Sequence, residues 1–400
     1  MLIEDVLYRI VFDSRGNPTV ECEVFAENCY GKAIAPSGAS TGTHEAVVVD
    51  PFKAEEIEEK VSKALIGLSV FDQREIDKTL REIDGTDNFS NIGGNFAITA
   101  SLACAKAAAN ALGIPLFHYL GGAFVEEFPY PLGNVIGGGK HAEGSTSIQE
   151  FLIIPVGAGS FFEAQLTNTR VHKKIREILK ERGIFAAKGD EGAWACQISD
   201  EEAFEILSEA ISRVEDEHGI KVRMGIDVAA SELWNRSHYV YKDKKLTPEE
   251  QISYIAELID RYNLLYVEDP LHEEDFEGFA ELTKQVKAMI CGDDLLVTNV
   301  KRIKKAIEIG SVNTVLIKPN QIGTLSDTVD AVNLAKDEGW DIVFSHRSGE
   351  TEDESLAHLA LAFNATLIKT GVVGGERIAK LNELIRLEEI TNAKMTKIRW

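Results

Sequence analysis

The chain has 400 residues, 44% hydrophobic and 27% charged, a globular balance that excludes disordered, collagen-like and coiled-coil chains and is long enough for two or three domains. With 42 basic and 65 acidic residues the net charge is −23. As a whole such a molecule repels nucleic-acid phosphates and anionic lipid, so an anionic substrate needs a local cationic field.

The chain opens Met1-Leu2-Ile3-Glu4-Asp5, with acids where a secretory signal carries basic residues, and no segment reaches the roughly 20 apolar residues of a membrane span. A cytoplasmic protein without nucleic-acid or membrane partners is expected. Cys22, Cys29, Cys104, Cys196 and Cys291 are scattered and form no C-x-x-C pair, which predicts reduced, mostly buried thiols rather than a disulfide or zinc framework.

Residues 1–125 read as an α+β domain. Val20-Glu21-Cys22-Glu23-Val24-Phe25 alternates with the period of a half-solvated strand. Helices are expected over 53–66, over 71–82 and, rich in alanine, over 95–112, the last stopped by Gly113 with Pro115 beyond. Pro129 and Pro131 flank Tyr130 and mark a seam between domains.

From residue 126 the pattern changes. Seven apolar runs recur, at 151–155, 222–227, 264–268, 288–293, 312–318, 342–346 and 366–369, each followed by a helical stretch. The terminal residues Asp227, Glu268, Asp293, Lys318, His346 and Lys369 lie 41, 25, 25, 28 and 23 positions apart, and spacing near 25 fits one βα unit. The class is therefore α/β, with a (β/α) barrel over 126–400 as the leading architecture. A doubly wound open sheet is the alternative, although no G-x-G-x-x-G or P-loop segment supports it.

If these runs are barrel strands, their carboxyl ends meet at one mouth. Asp227, Glu268 and Asp293 then converge with Lys318, Lys369, His346 and Arg347. Three crowded carboxylates require a cation, and hard oxygen ligands suit Mg²⁺. Lys318, at an apolar strand end, is either a base or the ion-pair partner of a neighbouring acid. Lys369 and Arg347 suit an anionic substrate. Glu150 and Glu191 each sit at a strand edge, either as surface residues or as a pair sharing a proton for a leaving hydroxide. His141 follows Gly137-Gly138-Gly139-Lys140 on a stretch that reads equally as a lid or as an ordinary loop. Gly38-Ala39-Ser40-Thr41-Gly42 is a small-residue loop, either a linker or a mobile segment whose hydroxyls reach a metal or phosphate.

At these residues the sequence resembles the enolase family along nearly its whole length. The matching segments are Asp13-Ser14-Arg15-Gly16-Asn17-Pro18-Thr19-Val20-Glu21, Ala35-Pro36-Ser37-Gly38-Ala39-Ser40-Thr41-Gly42 and Gln149-Glu150-Phe151. Gly189-Asp190-Glu191-Gly192, Glu268-Asp269-Pro270, Asp293-Asp294-Leu295, Lys318 through Gly323-Thr324, and Ser345-His346-Arg347-Ser348-Gly349-Glu350-Thr351 follow in the family's order. The resemblance implies an α+β cap over a modified (β/α)8 barrel whose first strands depart from βα order. It implies reversible dehydration of 2-phospho-D-glycerate to phosphoenolpyruvate with two Mg²⁺, in a homodimer or larger homo-oligomer. By matching position, Asp227, Glu268 and Asp293 hold one ion and Ser40 helps hold the second. Lys318 removes the C2 proton, and Glu191, partnered by Glu150, protonates the leaving hydroxyl. His141, Gln149, His346, Arg347, Ser348 and Lys369 line the substrate site. The use of a Lys or His base with Mg²⁺ is general to this superfamily.

Three segments depart from the family pattern: Ala193-Trp194 after the Glu191 segment, Lys140 before His141, and Gly374-Gly375 after Lys369. They leave room for a relative acting on another carboxylate, or for an interaction protein on the same scaffold.

Overall fold

Strands Asp5–Phe12, Pro18–Ala26 and Cys29–Ile34 form an antiparallel sheet in the computed structural model, which describes every residue except Ala39, Ser40, Thr41 and Glu143. Val20, Cys22 and Val24 are fully buried, as the alternation predicts. Helix Gly94–Leu112 lies against this sheet. Its face of Ala100, Ala103 and Ala107 lets the two backbones approach closely. Helices Ala54–Leu65 and Gln73–Asp84 match the other two expected elements to within two residues. Among the described residues no single helix is long and apolar enough to cross a membrane, and all five cysteines are free thiols.

The seven apolar runs are strands: Glu150–Ile154, Arg223–Asp227, Tyr266–Glu268, Met289–Gly292, Thr314–Ile317, Asp341–Ser345 and Leu367–Lys369. The eighth, Tyr130–Gly137, lies where the sequence reading saw only a seam, because Pro131, Gly133 and Gly137 dilute its apolar pattern. Leu367, Ile368 and Lys369 pair in parallel with Tyr130, Pro131 and Leu132, and this closes the barrel. Closure rules out the open sheet.

One strand runs backwards. Glu150–Ile154 is antiparallel to both neighbours, so its first residue, rather than its last, reaches the mouth formed by the carboxyl ends of the others.

The two-residue period then selects what faces the mouth. Leu152, Tyr266, Cys291, Leu316, Val343 and Leu367 fill the barrel interior, while Phe151, Val267, Ile290, Val315, Phe344 and Ile368 pack outward among the helices. Two positions from each interior residue, towards the mouth, stand Glu150, Glu268, Asp293, Lys318, Ser345 and Lys369. Asp227 joins them by register, paired with Glu150 on one side and Glu268 on the other.

The cap docks on the same end. Ser37 and Gly349 exchange backbone hydrogen bonds of 2.7 and 2.8 Å, and a Cβ on Gly349 would stand 2.3 Å from Ser37 Oγ, so only glycine permits this approach. Arg347 forms a two-pronged ion pair with Glu45, at 2.8 and 3.1 Å.

Candidate active site

A small cavity at the barrel mouth is lined by Gly38, His141, Gln149, Glu150, Glu191, Asp227, Asp293, Lys318, Ser345, His346, Arg347, Ser348 and Lys369. Of the residues expected there, only Glu268 and Ser40 are missing from this lining. Glu268 stands just beneath, and Ser40 lies outside the described residues. Two larger grooves on the surface, one beside Lys106 and Glu383 and one beside Asp200 and Lys242, contain none of these groups.

Lys369 is the hub of the acidic side. Its ammonium lies 3.0 Å from Glu150 Oε2, 3.1 Å from Asp227 Oδ2 and 2.8 Å from Glu268 Oε1, and is almost fully buried. Burial would lower the lysine pKa, but the three carboxylates raise it well above the ordinary value. Glu268 also accepts the Tyr266 hydroxyl at 2.6 Å. Burial and then Asp227 push the Glu268 carboxyl well up.

Asp293 accepts from Lys318 Nζ and, at 2.9 Å, from Gln321 Nε2. Of the two readings the sequence left open for Lys318, this geometry is the ion pair. Burial would lower the Lys318 pKa, but Asp293 outweighs it and raises the value, while Arg347 and Lys369 pull the other way. A base at this position depends on how far Asp293 is neutralised.

Carboxylate oxygens of Asp269, Asp293 and Asp294 all lie within 4.8 Å of one another. Asp269 is a brace: its two oxygens accept the backbone N–H groups of Asp293 and Asp294 at 2.9 and 2.8 Å. Among the described residues the expected trio of Asp227, Glu268 and Asp293 forms no equally tight group, because Lys369 separates the first two and Lys318 takes the third.

The opposite wall carries Glu191 on the loop between the short strands Ala186–Lys188 and Trp194–Cys196. His141 Nδ1 lies 3.2 Å from Glu150 and 3.8 Å from Glu191. Asn134 Nδ2 donates to Glu191 Oε2 at 3.2 Å, and His346 Nε2 lies 3.4 Å from the same oxygen. Burial would lower the His141 pKa, but Glu191 and Glu150 raise it to about 9. Burial and Glu191 raise Glu150. Burial works to raise Glu191 too, but the two histidines and Arg377 outweigh it and hold that carboxyl well below its usual range. Glu150 and Glu191 thus flank His141, and their carboxyls are shifted in opposite directions, Glu150 up and Glu191 down. Gln149 Oε1, His141 Nδ1 and His346 Nε2 are buried without an aligned hydrogen-bond partner, as a cavity shaped for a polar ligand requires.

Trp194, the departure nearest to Glu191, points away from the cavity. Its indole stacks on His172 at 4.9 Å and donates to the His172 carbonyl at 2.8 Å, while His172 Nε2 meets Gly192 O at 2.9 Å. Gly192 has φ 78° and a Cβ there would meet Val373 O at 2.4 Å, so glycine is required beside the acid. Sequence reasoning missed Asn134, Glu45, Gln321, Asp269, Tyr266 and Arg377. The two-residue period could have found Tyr266; Glu45 and Arg377 carry no local signal.

A capped barrel whose mouth sets buried acids against buried lysines defines the class of enzymes that process anionic carboxylates at a barrel mouth. The family model described as "Enolase, C-terminal TIM barrel domain" matches residues 125–397, and "Enolase, N-terminal domain" matches residues 3–120. The chain is 75% identical over 390 residues to a protein named Enolase from Archaeoglobus fulgidus, covering 98% of each chain. It is 57% identical to the Enolase of Methanocorpusculum labreanum, covering 97% of this chain and 99% of that one. The figure is 56% for that of Natronomonas pharaonis, with the same coverage. The chain belongs to the enolase family.

Proposed function

We propose that this protein is a hydro-lyase that reversibly dehydrates 2-phospho-D-glycerate to phosphoenolpyruvate, the step that serves glycolysis and gluconeogenesis. The observation that carries the reading is a single cavity in which Lys318 and the Glu150–His141–Glu191 cluster face the same space. A carbon acid beside a carboxylate needs a base on one side, and a poor leaving hydroxide needs an acid on the other.

The residues suit Mg²⁺. One buried ammonium, Lys369, faces three buried carboxylates, and the donors are all hard oxygens. Asp227, Glu268 and Asp293 would hold one ion, with Ser40 contributing to a second. When bound, the two ions supply charge compensation for the dianion that proton loss creates. Lys318 takes the C2 proton. Glu191 protonates the departing 3-hydroxyl, with Glu150 and His141 beside it. Gln149, His346, Arg347, Ser348 and Lys369 orient the phosphorylated substrate.

In this reading residues 1–125 form the cap and 126–400 form the barrel. The working form is a cytoplasmic homodimer or larger homo-oligomer. Adding 2-phosphoglycerate with and without a chelator tests the proposal. Phosphoenolpyruvate absorbance should rise only when Mg²⁺ is present; no turnover with Mg²⁺ would overturn it.

A further inference from the structure

Arg377 lies on the helix Gly375–Ile390 and is completely buried, yet it neither lines the cavity nor belongs to any role assigned above. Its guanidinium reaches three segments of the site. Nη1 meets His346 Nδ1 at 2.8 Å and donates to the Arg347 carbonyl at 2.6 Å. Nη2 donates to the Ser348 carbonyl at 2.6 Å and to the Asp190 carbonyl at 3.3 Å. Nε faces Glu376 Oε1 at 3.2 Å.

A guanidinium only donates, and it keeps its charge at every physiological pH. The nitrogen it meets must therefore present a lone pair, so His346 Nδ1 carries no proton. The ring's one remaining proton sits on Nε2, the atom that faces Glu191 across 3.4 Å. Protonating Nδ1 would set two cations nose to nose in a buried site. The charged groups acting on this ring are Glu191, Arg377 and Glu350; burial, with Arg377, outweighs the two acids and lowers the pKa to about 4. His346 is then a fixed donor at Nε2 and not a base.

We propose that Arg377 is a positioning residue: it locks His346 as the neutral Nε2–H tautomer and ties the segments bearing Glu191, Arg347 and Ser348 into one frame. The catalytic consequence rests on the dehydration reading above, but the tautomer does not. Gly374 has φ 116° and caps the helix, and that start delivers Arg377 three residues later.

The experiment is a two-bond proton–nitrogen correlation spectrum of the histidine rings, with His346→Gln used for assignment, beside steady-state kinetics on 2-phosphoglycerate. The wild-type His346 should show a bare Nδ1 and a protonated Nε2 from about pH 5 to pH 8. Arg377→Met should return the ring to a tautomer mixture that titrates in that range, and should lower kcat by about 100-fold with a smaller change in KM. Arg377→Lys, which keeps the charge but loses the fork, should lose part of the tautomer preference and about 10-fold in kcat. A wild-type ring protonated at Nδ1 would overturn the proposal even if neither variant folds. So would an Arg377→Met protein that melts earlier but keeps the His346 tautomer and kcat. Wild-type protein with the stated tautomer and no turnover would sink the dehydration reading and leave the tautomer standing.

Discussion

The two walls of the cavity are built by different means. The acidic wall, from Glu150 and Asp227 round to Lys369, consists of inward positions on consecutive barrel strands, each aimed by the same two-residue period and backbone ladder. The wall that carries Glu191 is a loop between two three-residue strands, held from outside by His172, Trp194 and Arg377. A side chain on a ladder is placed by its neighbours in the sheet; a side chain on a loop is only as well placed as its anchors.

The sharpest break in this comparison comes from removing one reacting group from each wall. Lys318→Ala and Glu191→Gln should each lower kcat by about 10⁴-fold. Mg²⁺ binding, measured by calorimetry, should stay close to wild type. Near-normal turnover in either variant would remove that residue from the chemistry.

Next comes the metal side of the ladder wall. Glu268→Gln should weaken Mg²⁺ binding by about 10- to 100-fold. In chelator its melting temperature should hold or rise, because one of three acids crowded on Lys369 has lost its charge. A fall in chelator would show that Glu268 serves stability rather than an ion.

Anchors of the loop wall should matter less for the fold and more for rate. Trp194→Phe keeps the ring stack and removes the hydrogen bond to the His172 carbonyl, a loss of about 1 kcal/mol. Its effect on kcat should exceed its effect on Mg²⁺ affinity. Equal effects on both would mean that the two walls are not separable.

The smallest effect is a control away from both walls. His358, 3.4 Å away, together with Arg386 holds the Glu383 carboxyl down to about 2. A depressed acid stabilises the fold above its unfolded pKa, near 4.5, and loses that contribution as pH falls through about 2. Glu383→Gln should flatten the acid limb of melting temperature against pH and leave kcat unchanged. An unaltered limb would show that this pair does not couple to folding.

How much of this was readable before any fold was known follows the same division. Seven of eight barrel strands announce themselves as apolar runs, six of them ending in an ionisable residue and the reversed one preceded by Glu150, because a strand buried on both faces needs apolar side chains at every position until it reaches the mouth. Tyr130–Gly137 does not, since one proline and two glycines hide it. The ladder residues were legible for this reason, and the resemblance supplied their roles. That Lys318 sits in an ion pair, and that Glu150 and Glu191 flank His141 with shifts of opposite sign, was not legible. Both depend on distances between segments far apart in the chain.

By itself the sequence determined the α/β class, seven of the eight barrel strands and the groups at six strand ends, because periodicity and chain-local pattern are enough to aim a side chain inward or outward. Only the tertiary structure decided that the sheet closes and that one strand enters backwards to deliver Glu150. It alone showed that Glu45 crosses from the cap to Arg347, and that a buried arginine on the last long helix meets the ring of a histidine thirty-one positions earlier. Those outcomes are set by burial and electrostatics between distant segments, which no local run of residues encodes.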